Sequence, residues 1–282
     1  MTGLEIATKR GTVLNGVLFD SEKKSDTVLI AITGIHGNFY SNPFYFNIGD
    51  TLSANGIDFI YAQTNDAFGE IETINVKTKK KELIGSWNER FFYTEEDIGA
   101  YIDFAAKNYK KIILAGHSLG ANKVIYYLSK TFDERVDKFI FLSPANLTYI
   151  MKNVSEYEKK IRHTFVDYGQ GEKVLPFEFM GWVVCTANTA NDWLSVTLNN
   201  VHVEVDGDFS QVEKITHEGA LLIGTYDNFT CGDPVKFLEN INNHMQTAEK
   251  NKLIFIEKTG HTYQQKHQEV ADKILETIKS WQ

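Results

Sequence analysis

The sequence predicts an α/β fold in which a mostly parallel central sheet carries helices on both faces. Two observations carry that prediction. Short, uninterrupted apolar runs recur along the chain, among them "TVLIAITG" (27–34), "IDFIYAQ" (57–63) and "KIILAG" (111–116), as strands buried on both faces require. Between many of these runs lie stretches with helical spacing, and a strand-helix alternation of this kind builds parallel sheets.

Taken in order, "LEIATKRGTVLNGVLF" (4–19) reads as two strands around the Arg10-Gly11 turn, followed by a strand at 27–34 and a helix near 43–55. After the strand at 57–63, the interval from Asn65 to about Arg90 is polar and punctuated by glycine, and is expected to be mostly loop. Thr94 opens "TEEDIGAYIDFAAKNY" as a capping residue, with Ile98, Tyr101, Ile102, Phe104 and Ala105 at helical spacing. A strand at 111–116, a helix at 119–131 and a strand at 138–143 follow. The series resumes with strands at 220–226 and 252–258 and helices near 234–248 and 265–280. The interval 145–217 breaks the rhythm with helical patches and a bulky cluster of Phe165, Tyr168, Phe177, Phe179, Met180, Trp182 and Trp193. Because the alternation resumes afterwards, 145–217 is read as an insertion over the C-terminal edge of the sheet, and 1–144 with 218–282 as one core domain.

The 282 residues carry 29 basic and 37 acidic side chains, a formal net charge of -8, which argues against a nucleic-acid partner. No apolar run has membrane-spanning length and "MTGLEIATKR" lacks the apolar stretch of a leader, so a cytoplasmic location without membrane contact is expected. Cys185 and Cys231 are too few for a disulfide framework and show no metal-ligand spacing, so no metal is expected. Oligomeric state is not legible.

The chemistry centres on "ILAGHSLGANK" (113–123). A serine hydroxyl is a poor nucleophile until a neighbouring base takes its proton, and it must project into a site. A sharp strand-to-helix turn at Ser118 meets the second need, with Gly116 and Gly120 relieving the crowding that such a turn creates. The required acid and base stand later in the chain, each just past a strand and after a glycine. Asp227 lies in "ALLIGTYDNFTCGDP" and His261 in "KLIFIEKTGHTY". His261 would accept the serine proton and Asp227 would orient its ring. Asp233 is the rival acid, but it precedes Pro234 and has the position of a helix cap. His117 is expected to point away from the site into packing. For an oxyanion, the N–H of Leu119 at the helix start is one expected donor. The His36-Gly37 turn in "ITGIHGNFYSNPF" resembles the His-Gly turn that precedes the second donor in many hydrolases, which makes the N–H of Asn38 the other. Gly37, Phe39, Trp182 and Trp193 are the candidates for substrate contact.

These motifs together resemble the α/β-hydrolase superfamily across nearly the whole chain: "GHSLGA" as the nucleophile turn, "HGN" as the oxyanion loop, "GTYD" as the acid turn and "TGHTY" as the base loop. The segment 85–130 further resembles an esterase-like subgroup of uncharacterised-domain type that includes fungal siderophore-ester hydrolases, through Gly85, Ser86, Glu89 and Phe91. The resemblance implies the α/β-hydrolase fold with an inserted cap, and hydrolysis through an acyl-serine without a cofactor. The chain departs from the common pattern after the strand ending near 63, where "TNDAFGEIE" replaces Arg-Gly-His-Gly, and that position is a candidate for substrate contact. Glu89 is expected to serve structure, paired with an arginine such as Arg90 or Arg162. The expected partner is a small-molecule ester or acyl substrate, with amide cleavage chemically close. A thioesterase or acyltransferase, and a non-catalytic ligand-binding relative, are the alternatives that the sequence leaves open.

Overall fold

The computed structural model describes residues 1–195, 197–198 and 201–282. Strands β1 (Thr2–Ala7), β2 (Val13–Phe19) and β3 (Thr27–Ile32) precede helix α1 (Phe44–Ala54) and β4 (Asp58–Ala62). A separate hairpin, β5 (Ile71–Asn75) and β6 (Lys80–Ile84), leads to α2 (Thr94–Ala105), β7 (Lys111–His117), α3 (Leu119–Thr131) and β8 (Val136–Leu142). Then come α4 (Leu147–Lys152), α5 (Glu156–Asp167), α6 (Ala187–Leu194), β9 (Gly219–Gly224), α7 (Pro234–Asn243), β10 (Lys252–Ile256) and α8 (His267–Lys279).

Eight strands form one sheet in the order β1-β2-β4-β3-β7-β8-β9-β10. β2 runs antiparallel to β1 and β4, and every pairing from β4 to β10 is parallel. The apolar runs of the sequence follow from burial on both faces. In β3, Val28, Ile30 and Ile32 face a core shared with α2, α3 and α7, while Leu29 and Ala31 face one shared with α1 and α8. Because β7 to β10 are parallel neighbours, the loops that leave β7, β8, β9 and β10 open along one edge, where sites form in such sheets.

The β5–β6 hairpin occupies part of the interval expected to be loop. Its period is masked because two inward-facing positions are polar: Thr73 donates to Val13 O (3.0 Å) and Asn75 Nδ2 to Arg10 O (3.2 Å). In 145–217, α5 begins with a capping box in which Ser155 and Glu158 satisfy each other's backbone N–H. The same Glu158 carboxylate accepts the Met180 N–H at 2.9 Å. Met180 (φ 57°) and Gly181 (φ 79°) turn the chain between Phe179 and Val183, which bridge across the turn. Apolar side chains of this region, among them Leu147, Met151, Phe179 and Trp193, pack with Leu119 at the start of α3. Among the described residues no helix is long and apolar enough to cross a membrane.

Candidate active site

The turn from β7 into α3 holds Ser118 at φ 56° and ψ −129°, a left-handed backbone that an L-residue adopts only under constraint. The constraints are visible. Ser118 N–H donates to Leu142 O on β8 (3.0 Å), and its carbonyl accepts the Ala121 N–H (2.9 Å). A Cβ on Gly116 would lie 2.3 Å from Gly120 O, and one on Gly120 2.3 Å from Ile32 O. Only glycine lets strand, turn and helix approach this closely.

Past β9, Asp227 is 1% exposed, and past β10, His261 Nδ1 lies 3.0 and 2.9 Å from the two Asp227 carboxylate oxygens. The two loops are locked together, since Tyr226 N–H donates to Thr259 O (2.9 Å) and a Cβ on Gly224 would strike Thr259 O at 2.5 Å. Asp227 also accepts the Phe229 N–H (2.9 Å), and the Phe229 ring stacks on the His261 imidazole at 4.2 Å. A carboxylate only accepts, so Nδ1 carries the proton and Nε2 presents a lone pair. That Nε2 is buried and has no hydrogen-bond partner among the described residues. Asp233 is occupied elsewhere, capping α7 through the Val235 N–H (2.9 Å) and Lys236 N–H (3.2 Å).

His117 packs on Phe44 and Tyr263, as expected, but its ring does not leave the site, lying 4.9 Å from that of His261. Its Nε2–H donates to His261 O at 2.7 Å, tying the residue before Ser118 to the base loop. Burial, reinforced by the neighbouring His261, pushes its pKa down to about 3, so the ring stays neutral. Nothing in the sequence announced this tie beyond the histidine itself.

Ser118 opens on a cavity of about 230 Å³ with an almost wholly apolar lining, including Ile35, Leu119, Met180, Trp182, Trp193 and Phe229. Trp182 and Trp193, two of the candidates for substrate contact, line this cavity with Ser118. Asn38 does not. Its N–H donates to Ser41 Oγ (2.9 Å) and its side-chain amide to Ala67 O (3.1 Å), so it has no free donor for an oxyanion. The loop closes early, with Gly37 N–H on Gly34 O (2.8 Å), and this curl leaves Ile35 beside Ser118. Among the described residues the N–H groups of Ile35 and Leu119 have no acceptor. Gly37 is enclosed by that turn, its Cβ position 2.7 Å from Gly34 O, and Phe39 packs on Phe46 at 4.7 Å; neither lines the cavity. Among the described residues no group of three or more His, Cys, Asp or Glu side chains is arranged to hold a metal.

The model of the family described as Protein of unknown function (DUF1749) matches residues 14–281. The chain belongs to that family. No curated protein matches the chain. Among solved structures, Est1E from Butyrivibrio proteoclasticus superposes with a TM-score of 0.67 at 18% identity, covering 99% of this chain and 100% of that one. The α/β hydrolase GrgF from Penicillium sp. sh18 gives 0.69 at 17%, covering 99% and 98%, and the esterase EaEST from Exiguobacterium antarcticum 0.60 at 15%, covering 99% and 100%. These likenesses show that the DUF1749 chain has the α/β-hydrolase fold.

The segment that carried the subgroup resemblance forms a platform beside the site. Ser86 Oγ lies 2.7 Å from His36 Nε2, and Phe91 packs edge-on against Trp193 at 5.0 Å. Glu89 is structural, but its partner is Lys123 (2.9 Å), whereas Arg90 pairs with Asp192 and Arg162 with Asn191. Burial raises Glu89 to about 7 against the pull of Lys123. In "TNDAFGEIE" the side chains also turn inward. Asn65 donates to Gly85 O (3.2 Å) and Asp66 binds Lys123 (2.7 Å), so the departure from the common pattern serves packing and does not line the cavity.

Proposed function

We propose that this chain is a serine hydrolase that cleaves an ester bond of a small to medium, partly apolar molecule through an acyl-serine intermediate. The observation that carries the reading is the buried, unpartnered Nε2 of a histidine whose Nδ1 is already held by Asp227. His217 Nδ1 is likewise buried without a partner, but its other nitrogen meets only the backbone carbonyl of Asp133, whereas His261 is held by a buried carboxylate at the strand edge that also carries Ser118. In the proposed cycle His261 Nε2 takes the Ser118 proton as Oγ bonds to the substrate carbonyl carbon. The resulting oxyanion is held by the Leu119 N–H and, in place of the Asn38 N–H, by that of Ile35. The proton passes to the leaving alcohol as its C–O bond breaks. Water, deprotonated by the same Nε2, then releases the acid and restores Ser118.

The segment 145–217 acts as the cap, on the core formed by 1–144 and 218–282. Support comes from Met180, Trp182 and Trp193, which line the cavity with Ser118. The lining favours a neutral, apolar group. A cavity of about 150 Å³ holds a benzene ring, so about 230 Å³ suits one ring with a short chain, or an alkyl chain of similar bulk.

An alkyl fluorophosphonate tests the mechanism. It should add one equivalent to Ser118, seen by intact-protein mass, and none to Ser118→Ala. Ester turnover should fall by about 10⁴ or more in that variant with the fold retained. A folded wild-type protein that takes no adduct, or a variant with undiminished turnover, overturns the proposal.

A further inference from the structure

Lys123 lies little more than one helical turn beyond Ser118 on α3, 1% exposed. Its ammonium makes three contacts, to Thr64 Oγ1 (3.2 Å), Asp66 Oδ1 (2.7 Å) and Glu89 Oε1 (2.9 Å), one for each hydrogen. Burial works against the charge, yet Asp66 and Glu89 together hold the pKa above the ordinary lysine value. Stability does not account for this cluster. Buried ion pairs gain little over an apolar replacement, and here Asp66 Oδ2 and Glu89 Oε2 are buried without any hydrogen-bond partner among the described residues. Something other than stability explains the arrangement.

The acceptors of Lys123 belong to the two segments that hold His36. Asp66 O, on the residue whose side chain Lys123 grips, accepts the His36 N–H at 2.9 Å. Ala67 O, one residue on, accepts from the Asn38 side chain at 3.1 Å. Ser86, three residues before Glu89, meets His36 Nε2 at 2.7 Å. The two segments are joined to each other, since Ser86 N–H donates to Phe68 O (2.8 Å) and Asn65 Nδ2 to Gly85 O (3.2 Å). His36 itself has φ 56°, a backbone that a non-glycine residue holds only when its surroundings impose it. It follows directly on Ile35, which lines the cavity with Ser118 and whose N–H, without an acceptor among the described residues, is the proposed second donor.

We infer that Lys123 is a positioning residue for the oxyanion loop. It clamps the segments at 64–67 and 85–89 to α3, so that the Leu119 N–H at the start of that helix and the Ile35 N–H on the loop keep a fixed separation. The inference rests on the serine-hydrolase reading. It adds that one ammonium ties the two donors into a single rigid unit.

The test removes the clamp without leaving a stranded charge. The triple variant Lys123→Met, Asp66→Asn, Glu89→Gln is neutral and close in shape. Removing one oxyanion donor costs about 10²–10³ in kcat, so a displaced Ile35 N–H should lower kcat by about 10²-fold. KM should stay within about threefold, since the ground state draws little on these donors. Affinity for a trifluoromethyl ketone, which forms a tetrahedral oxyanion on serine, should fall by the same factor as kcat. If the triple variant does not fold, Asp66→Asn alone keeps Lys123 balanced by Glu89 and should show the same split at about tenfold. Unchanged kcat in a folded variant overturns the inference, as does a parallel loss of kcat, ground-state affinity and melting temperature. A wild-type protein that takes no phosphonate adduct overturns the hydrolase reading, and the inference with it. An adduct-forming wild type whose variant keeps its kcat overturns the inference alone.

Discussion

Two ionisable groups flank the first turns of α3, and they are finished in opposite ways. On one side Asp227 holds His261 by Nδ1 and leaves Nε2 buried without a partner. On the other side Lys123 has an acceptor for each of its three hydrogens, and the unpaired atoms belong to the carboxylates around it. In the proposed mechanism that imidazole nitrogen is the one that takes the serine proton. The ammonium has none to give at neutral pH, its pKa being held high. The difference separates chemistry from architecture within a few residues of one serine. In the proposal the atom left open on His261 is the one that reacts, whereas every hydrogen of the Lys123 ammonium is engaged.

The comparison can be broken or sharpened by substitution. The largest effect is expected for Asp227→Asn, which keeps the shape but turns an amide toward Nδ1 and favours the wrong tautomer; kcat should drop by about 10⁴, read with the best ester of a panel. Equal turnover would remove Asp227 from the mechanism. His117→Phe keeps the ring packing but strands the buried His261 carbonyl, a cost of about 1–3 kcal/mol. We expect kcat to fall by about tenfold with the melting temperature lowered, because the base loop loosens. Asp233→Ala should leave kcat alone and cost about 1 kcal/mol of stability through the lost cap of α7, measured by urea denaturation. Loss of activity there would reopen the choice of acid.

Glu89→Gln is the smallest. Its folded pKa of about 7 stands above the ordinary 4.5, so the folded state holds the proton more tightly than the unfolded one. Wild type is therefore favoured most below about pH 4.5 and loses that advantage as the pH rises toward 7. The melting-temperature difference between wild type and Glu89→Gln should move in favour of the variant as the pH rises over that range. A difference that does not change with pH would mean that Glu89 binds its proton equally in the folded and unfolded states.

The legibility of the molecule in its sequence follows the same division. Strands buried on both faces announce themselves as apolar runs, which is why β3, β4 and β7 fall close to their expected places. Ser118, Asp227 and His261 stand out in the sequence because each follows a strand near a glycine, and the structure brings Asp227 and His261 together. The choice of Asn38 misled because an oxyanion donor on a loop is a backbone N–H, which every residue but proline carries, and Asn38 has its own N–H and side-chain amide engaged within the fold. The loop's curl, Gly37 on Gly34, depends on contacts with the 64–67 turn that no local pattern records. Lys123 was silent for a related reason. On a helix, a lysine reads as a solvent-facing residue, and only the folded chain brings Asp66 and Glu89 to it. The β5–β6 hairpin was hidden by Thr73 and Asn75, polar residues whose partners lie across the fold.

The backbone of Ser118 has a consequence for how the folded population can be counted. Its φ of 56° is maintained by β8, by β3 and by the first turn of α3 together, and none of these alone imposes it. Under the proposed mechanism, a chain that has lost the docking of α3 onto β3 relaxes at this residue and loses the activation of its hydroxyl. The initial rate of phosphonate uptake at Ser118 then reports correctly assembled molecules. In a half-denatured sample, that initial rate should follow the fraction whose sheet and helix are still joined.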